Sequence, residues 1–76
     1  MKNLIEFLLI HITQHPEDVL VVEEQDEHGY TYTINVHDDD IGRVIGKRGS
    51  VIHAIRSIAK IRAVKEHIRA YVTIAE

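Results

Sequence analysis

The residues most able to do chemistry form the stretch Gly46-Lys47-Arg48-Gly49, in which two glycines three positions apart enclose two cations. Glycine carries no Cβ, so a phosphate or sugar group can lie directly against the main chain at such a site. The side chains of Lys47 and Arg48 would add positive charge beside it. The pattern favours binding of a sugar-phosphate chain, although two glycines can also serve only to make a tight helix–helix turn.

Two helical patterns must position this stretch. Apolar residues predict a short helix from Ile41 to Ile45, with Asp38 to Asp40 as its N-cap and Gly46 as its end. Ser50 is the predicted cap of a longer helix that runs to about Arg62 or Val64. The first amides of a helix have no intrahelical partner, and the helix dipole attracts anions to that end.

The remaining elements follow from periodicity. A four-residue apolar spacing predicts a helix over residues 2 to 14, and alternating or β-branched residues predict strands at Val19–Gln25, Tyr30–Val36 and Ile68–Ala75. His28 and Gly29 form the predicted turn between the first two strands. We therefore expect an α/β (α+β) two-layer sandwich, in the order α-β-β-α-α-β, with helices on one face of a three-stranded sheet.

Length and composition restrict the function. The chain has 76 residues and 45% hydrophobic content, which predicts one folded domain spanning residues 1–76. It contains no cysteine, so disulfides and thiolate metal sites are excluded. Neither a signal peptide nor an apolar run of the roughly 18 residues needed for a membrane span is recognisable, so we expect a cytoplasmic protein.

Charge is distributed unevenly along the chain. Residues 1–40 hold one cation and ten carboxylates, a balance of −9, whereas residues 41–76 hold eight cations and two carboxylates, a balance of +6. Because salt screens charges beyond about 8 Å at physiological ionic strength, the second half could bind a polyanion locally. The acidic half would repel nucleic acid and confine binding to the side of the glycine loop.

The run VIGKRGSVI, Val44 to Ile52, lies between two helices within a strand-helix-loop-helix-strand order. Together with NLIEF near the start of the chain, it resembles the type II KH domain of the KhpA-type family, small bacterial KH-domain RNA-binding proteins. The resemblance covers essentially the whole chain. It implies that residues 46–49 form the GXXG nucleic-acid loop and that the second and third strands are parallel. It also implies a non-catalytic RNA-binding role, as a post-transcriptional regulator or RNA chaperone.

In a KH domain the bases lie in a groove between the two central helices and the sheet edge. Gly42 would be explained by close approach of a nucleotide or by packing on the first helix. Arg43 and the stripe of His53, Arg56 and Lys60 could follow the backbone or merely be solvated. The predicted RNA-binding residues are Gly42, Arg43, Ile45, Gly46, Lys47, Arg48, Gly49, Ser50, His53 and Arg56.

Ile61 and Val64 lie beside Ser57 at the edge of the apolar arc of the long helix, an arrangement that suggests self-association. The alternative is packing beneath the last loop. The family resemblance implies a homodimer or a heterodimer with a KH protein of the Jag/KhpB type. A second hypothesis is therefore a protein-interaction module in which RNA binding is secondary, and a third is a binder of single-stranded DNA.

Other residues offer little chemistry at the level of sequence. His11 and His15 have helical spacing but no evident third ligand, and capping explains Asp38 to Asp40 more simply than a cation does. No nucleophile, acid and base are grouped as an enzyme would require. We therefore predict no catalytic residue, metal, cofactor, small-molecule substrate or membrane partner.

Overall fold

The computed structural model describes residues 1–75 and contains three α-helices and three strands. The elements are α1 Lys2–Ile10, β1 Leu20–Asp26, β2 Gly29–Asn35, α2 Ile41–Ile45, α3 Ser50–Glu66 and β3 Ala70–Ile74. This order confirms the predicted α+β fold of the KH type. In the described part of the chain, no helix has both the length and the apolar character needed to cross a membrane.

The strands form one mixed sheet in the order β1-β2-β3. β1 and β2 are antiparallel, and the Asp26 carboxylate accepts hydrogen bonds from the amides of His28 and Gly29 at the turn between them. β2 and β3 are parallel, which agrees with the implied KH topology. A parallel pair requires a crossover connection, and the segment that contains α2 and α3 supplies it.

The core lies between the sheet and the helices because β2 alternates strictly. Its Tyr32 and Ile34 are buried against Ile5 and Leu9 of α1 and other apolar residues of the core. Burial and the neighbouring carboxylate of Glu23 raise the pKa of Tyr32 well above its ordinary value, so the phenol stays neutral. The remaining buried apolar residues of the core cluster are Val21, Val44, Ile52, Ile55, Ala59 and Val72.

Several predicted boundaries are wrong by a few residues. α1 ends at Ile10 because the chain turns there: the amides of both Ile12 and Thr13, and the Thr13 hydroxyl, donate to the Leu9 carbonyl. α3 continues to Glu66, where an ion pair of 2.6 Å between Arg62 Nε and Glu66 Oε2 stabilises the last turn. His67 then adopts a left-handed conformation, which delays β3 to Ala70.

Candidate nucleic-acid interface

The Gly46–Gly49 loop is a tight bend between α2 and α3. The Gly46 amide closes α2 by donating to the Gly42 carbonyl at 2.9 Å, and the Gly49 amide donates to the Gly46 carbonyl at 3.1 Å. Positive φ angles occur at Gly46, Arg48 and Gly49. Arg48 is thus held in a conformation that favours glycine, and its side chain projects from the exposed part of the bend.

The first glycine of the loop is required by the fold itself. A Cβ on Gly46 would lie 2.4 Å from Val51 Cγ2 and 2.7 Å from the Val51 amide nitrogen. A Cβ on Gly49 would meet nothing closer than 3.7 Å, so there only the backbone conformation requires glycine. The start of α3 can pack against the loop only because Gly46 has no side chain.

The start of α3 differs from the sequence prediction. Gly49 is the N-cap, Ser50 is already the first helical residue, and no side chain caps this end. The prediction that the Ser50 side chain caps the helix is therefore wrong. The Ser50 amide donates to the Lys47 carbonyl, but no side chain caps this end of α3. The positive end of the helix dipole therefore remains suited to an anionic oxygen atom.

The start of α2 is organised by a buried carboxylate. Asp40 is 0% exposed, and its two carboxylate oxygens accept hydrogen bonds from the amides of Gln14 at 2.8 Å and His15 at 2.9 Å. Asp40 makes no side-chain cap of α2, so that role was wrongly predicted. Burial alone would raise the pKa of Asp40, but these hydrogen bonds and the charges of His15 and Arg43 outweigh it and hold the pKa below its ordinary value.

This carboxylate ties α2 to the connection between α1 and β1. The tie fixes the start of a helix of only five residues, and the other end of that helix is Gly46. Asp40 thus positions the glycine loop from a distance, without being exposed to any ligand.

Gly42 is the one glycine of α2, and a Cβ there would meet nothing within 4 Å. Close packing on α1, one of the two explanations considered for this glycine, is therefore wrong. Gly42 and Arg43 are exposed on α2, and Ile45 is 38% exposed directly before the loop. These three residues and the loop together present one accessible edge of the domain.

A groove lies between α3 and β3, one of the two edge strands of the sheet. Its open cavity measures about 590 Å³ and is lined by cations, Tyr71 and apolar side chains. Arg56 donates from Nε to the Val72 carbonyl at 3.1 Å and so joins the helix to the strand edge. The lining residues are Arg56, Lys60, Ala63, Val64, Ile68, Arg69, Ala70, Tyr71 and Val72.

His53 connects the loop with this groove. Its Cδ2 lies 3.7 Å from the position a Cβ of Gly49 would take, and Arg56 follows one turn later on α3. Arg69 and Tyr71 were absent from the predicted site. Sequence could have indicated them only through the knowledge that β3 is an edge strand, because strand order depends on long-range pairing.

The two cations of the Gly46–Gly49 loop are exposed and form no ion pair within the described residues. Within residues 1–75, neither Lys47 nor Arg48 lies within 4 Å of a carboxylate, whereas Arg43 and Arg62 pair with Asp40 and Glu66 respectively. The predicted site residues therefore form two connected groups. One surrounds the loop, and the other begins at His53 and Arg56 and enters the groove.

Comparison with known proteins agrees with this geometry. A family model described as the KH domain of KhpA/KhpB matches residues 2–74. The chain belongs to the KhpA/KhpB family of KH domains. The match includes all six helices and strands, so family membership rests on the whole fold and not on the loop alone.

Individual members of the KhpA/KhpB family align over nearly their full length. RNA-binding protein KhpA of Halalkalibacterium halodurans is 38% identical over 76 residues and covers 100% of both chains. RNA-binding protein KhpA of Oceanobacillus iheyensis is 34% identical over 97% of this chain and 99% of its own. The Chlamydia pneumoniae protein of the same name is 33% identical over 100% of this chain and 97% of its own. No solved structure gives a significant match.

A second surface of this KhpA/KhpB domain lies on the outer side of α3. Ile61 is 62% exposed and Val64 is 66% exposed, so neither packs beneath the last loop. Ile58, which follows the buried Ile55 at apolar helical spacing on α3, is also exposed. Ser57 and Lys65 border Ile61 and Val64 in a shallow depression, which shares Lys60 and Val64 with the groove.

Proposed function

We propose that this protein is a non-catalytic, cytoplasmic RNA-binding protein that holds single-stranded RNA at the Gly46–Gly49 loop. The observation that carries the proposal is the exposed bend at the start of α3, where Lys47 and Arg48 form no ion pair within residues 1–75 and no side chain caps the helix. The KhpA/KhpB relatives named as RNA-binding proteins support the choice of RNA. A role as post-transcriptional regulator or RNA chaperone fits such a small module.

The proposed path of the RNA starts at the loop. Lys47 and Arg48 contact phosphates, while the exposed main chain near Gly46, Gly49 and Ser50 lies against the sugar-phosphate backbone. The strand then passes His53 and enters the groove beside Arg56, where apolar and aromatic side chains can contact bases. Gly42, Arg43 and Ile45 border the path on the side of α2, with Ile45 as an apolar floor.

The small number of cations sets the expected strength of binding. If the loop neutralises about 2 to 4 phosphates, the logarithm of the affinity should fall with the logarithm of salt concentration with a slope of about −1.4 to −2.8. One domain would therefore bind weakly. Two linked domains would bind more tightly through their effective concentration.

Reversal of the loop charges tests this assignment. We expect the double variant Lys47→Asp, Arg48→Asp to lose binding of a fluorescently labelled single-stranded RNA, measured by anisotropy, while circular dichroism shows an intact fold. The control variant Lys2→Asp, Lys65→Asp changes the net charge equally at positions outside the loop and the groove. Unchanged RNA affinity in the loop variant would reject the assignment, and equal binding of DNA of the same sequence would favour a general single-strand binder.

A second candidate function is a protein-interaction module, and the exposed Ile58, Ile61 and Val64 favour it. The partner would be a second copy of this chain or a KH protein of the KhpB type. Sedimentation of the wild-type chain and the Ile61→Lys variant tests it. A stable wild-type dimer that Ile61→Lys dissociates, without any RNA binding at low salt, would favour this function over RNA binding.

A further inference from the structure

The structure brings together three side chains that the sequence separates widely. His15 belongs to the connection between α1 and β1, whereas His37 and Asp39 precede α2. One potential ligand atom from each of these residues lies within 4.8 Å of the other two. The two imidazole rings are stacked, with centroids 3.9 Å apart and planes inclined by 20°. None of the three residues belongs to the proposed RNA-binding residues, so the interpretation of the cluster does not depend on RNA binding.

We propose that His15, His37 and Asp39 bind a divalent transition-metal ion of the zinc class. Two imidazoles and one carboxylate form a donor set that zinc uses, with a fourth position left for water or another carboxylate. His11, which the spacing in sequence would pair with His15, is not part of the cluster. Its Nδ1 lies 2.7 Å from the Phe7 carbonyl within the α1 region.

Two distances from the Asp39 carboxylate match the spacing of ligands in a tetrahedral site. Metal–ligand bonds of about 2.0 to 2.2 Å place neighbouring tetrahedral ligands about 3.3 to 3.6 Å apart. Asp39 Oδ2 lies 3.5 Å from His15 Nε2 and 3.6 Å from His37 Nδ1. The carboxylate oxygen therefore already stands at ligand spacing from one nitrogen of each imidazole.

The tautomer and the surroundings also favour a cation. His37 Nδ1 accepts a hydrogen bond of 3.0 Å from the Asp39 amide, so this nitrogen carries a lone pair and no proton. Glu17 Oε1 lies 3.6 Å from His15 Nδ1, on the side of the ring away from Asp39, where it can orient the imidazole. Asp38 adds a further nearby negative charge in the sequence.

Binding requires a small local adjustment. Because the rings are nearly parallel, one must turn before both lone pairs point at the same ion, and the ion replaces the hydrogen bond that His37 Nδ1 accepts. The His15 and His37 side chains are 33% and 37% exposed, which leaves space for such a turn. The bound ion would join the segment after α1 to the segment before α2, next to the Asp40 hydrogen bonds that already link them.

The test uses the untagged wild-type chain with Zn²⁺ alone, and Co²⁺ as a spectroscopic probe of coordination. We expect one ion per chain by calorimetry, visible Co²⁺ absorption of tetrahedral type, and a higher thermal midpoint in the presence of Zn²⁺. His15→Gln and Asp39→Asn should each weaken Zn²⁺ binding by at least about 10-fold. Circular dichroism of the metal-free variants verifies that they fold.

His28→Gln is the matched control. His28 Nε2 lies 3.6 Å from Glu27 Oε1, so it forms a histidine–carboxylate pair of the same spacing but without a second histidine. Wild-type Zn²⁺ affinity in this variant, with loss in His15→Gln and Asp39→Asn, supports the site. Any of three results would overturn the proposed site. These are an equal loss of Zn²⁺ affinity in all three variants, unchanged Zn²⁺ affinity in His15→Gln, or no Zn²⁺ binding by the wild-type chain.

Discussion

The two ends of α2 are organised in opposite ways. At its start, Asp40 is fully buried and both carboxylate oxygens are occupied by amides of another segment. At its end, Lys47 and Arg48 are exposed, and no side chain caps the helix that follows. The polar groups at the start of α2 are thus hydrogen-bonded within the fold, whereas the two cations after its end are available to a ligand.

The comparison shows how similar sequence signals acquire different meanings. Three aspartates in a row and two cations in a row both look like exposed charged segments. Only burial and hydrogen-bond partners reveal that Asp40 is part of the framework and that the loop cations are not. A functional group in a small domain is recognised by charge that the fold neither buries nor pairs.

The largest effect is expected at the start of α2. Asp40→Ala removes the acceptor of the Gln14 and His15 amides and leaves them without a protein partner. We expect the thermal midpoint to fall by roughly 10 °C or more, because the loss of two hydrogen bonds to a charged carboxylate is costly in a domain of this size. The matched variant Asp38→Ala, at an exposed position, should melt like the wild type. Equal melting of both variants would contradict the framework role of Asp40.

The next largest effect is expected at Gly46. Gly46→Ala places a Cβ against Val51 in a backbone with φ of +76°, so we expect a loss of about 2 to 3 kcal/mol in unfolding free energy. Gly49→Ala has the same φ but no close contact and should cost about 1 to 2 kcal/mol. Urea denaturation measures both variants. If Gly49→Ala proves the more damaging, steric contact at Gly46 is not what distinguishes the two glycines.

A smaller effect is expected at Gly42, in the middle of α2. Because nothing lies within 4 Å of its missing Cβ, Gly42→Ala should raise the unfolding free energy by up to about 1 kcal/mol. If a nucleotide approaches this position, RNA affinity should fall at the same time. A stabilised variant with wild-type RNA affinity would remove Gly42 from the proposed interface.

The smallest effect on stability is expected at Arg48. Its φ of 56° suits glycine, so Arg48→Gly should change the unfolding free energy by less than about 1 kcal/mol. RNA binding should nevertheless weaken, because one phosphate contact is lost. Lys47→Ala serves as the comparison, since it removes a charge without altering the backbone preference. Retained RNA affinity in both variants would place the binding surface elsewhere.

The sequence predicted the local elements because their signals are local. Alternation identified the buried face of β2, and α2 ends before Gly46, as the sequence pattern predicted. The resemblance to KH domains correctly implied the parallel pairing of β2 and β3. Errors fell at helix ends, as with Ser50 and the end of α1, where capping depends on contacts that propensity does not describe.

Other features could not be read from the chain. Ile58 fits an apolar helical pattern as well as Ile55 does, and only the packing of α3 in the fold decides that the first is exposed and the second buried. Arg69 and Tyr71 join the groove because β3 takes the edge of the sheet. The cluster of His15, His37 and Asp39 needs the segment after α1 to lie beside the segment before α2.

The sequence alone determined which elements form and where the glycine loop lies, because periodicity, turn residues and charge spacing act over a few positions. Only the tertiary structure decided which charged side chains are buried and hydrogen-bonded within the protein. Asp40 and Asp39 are neighbours in the chain, yet one is buried against two amides and the other faces two histidines. That difference arises from packing between distant segments, and packing depends on the whole fold rather than on local sequence.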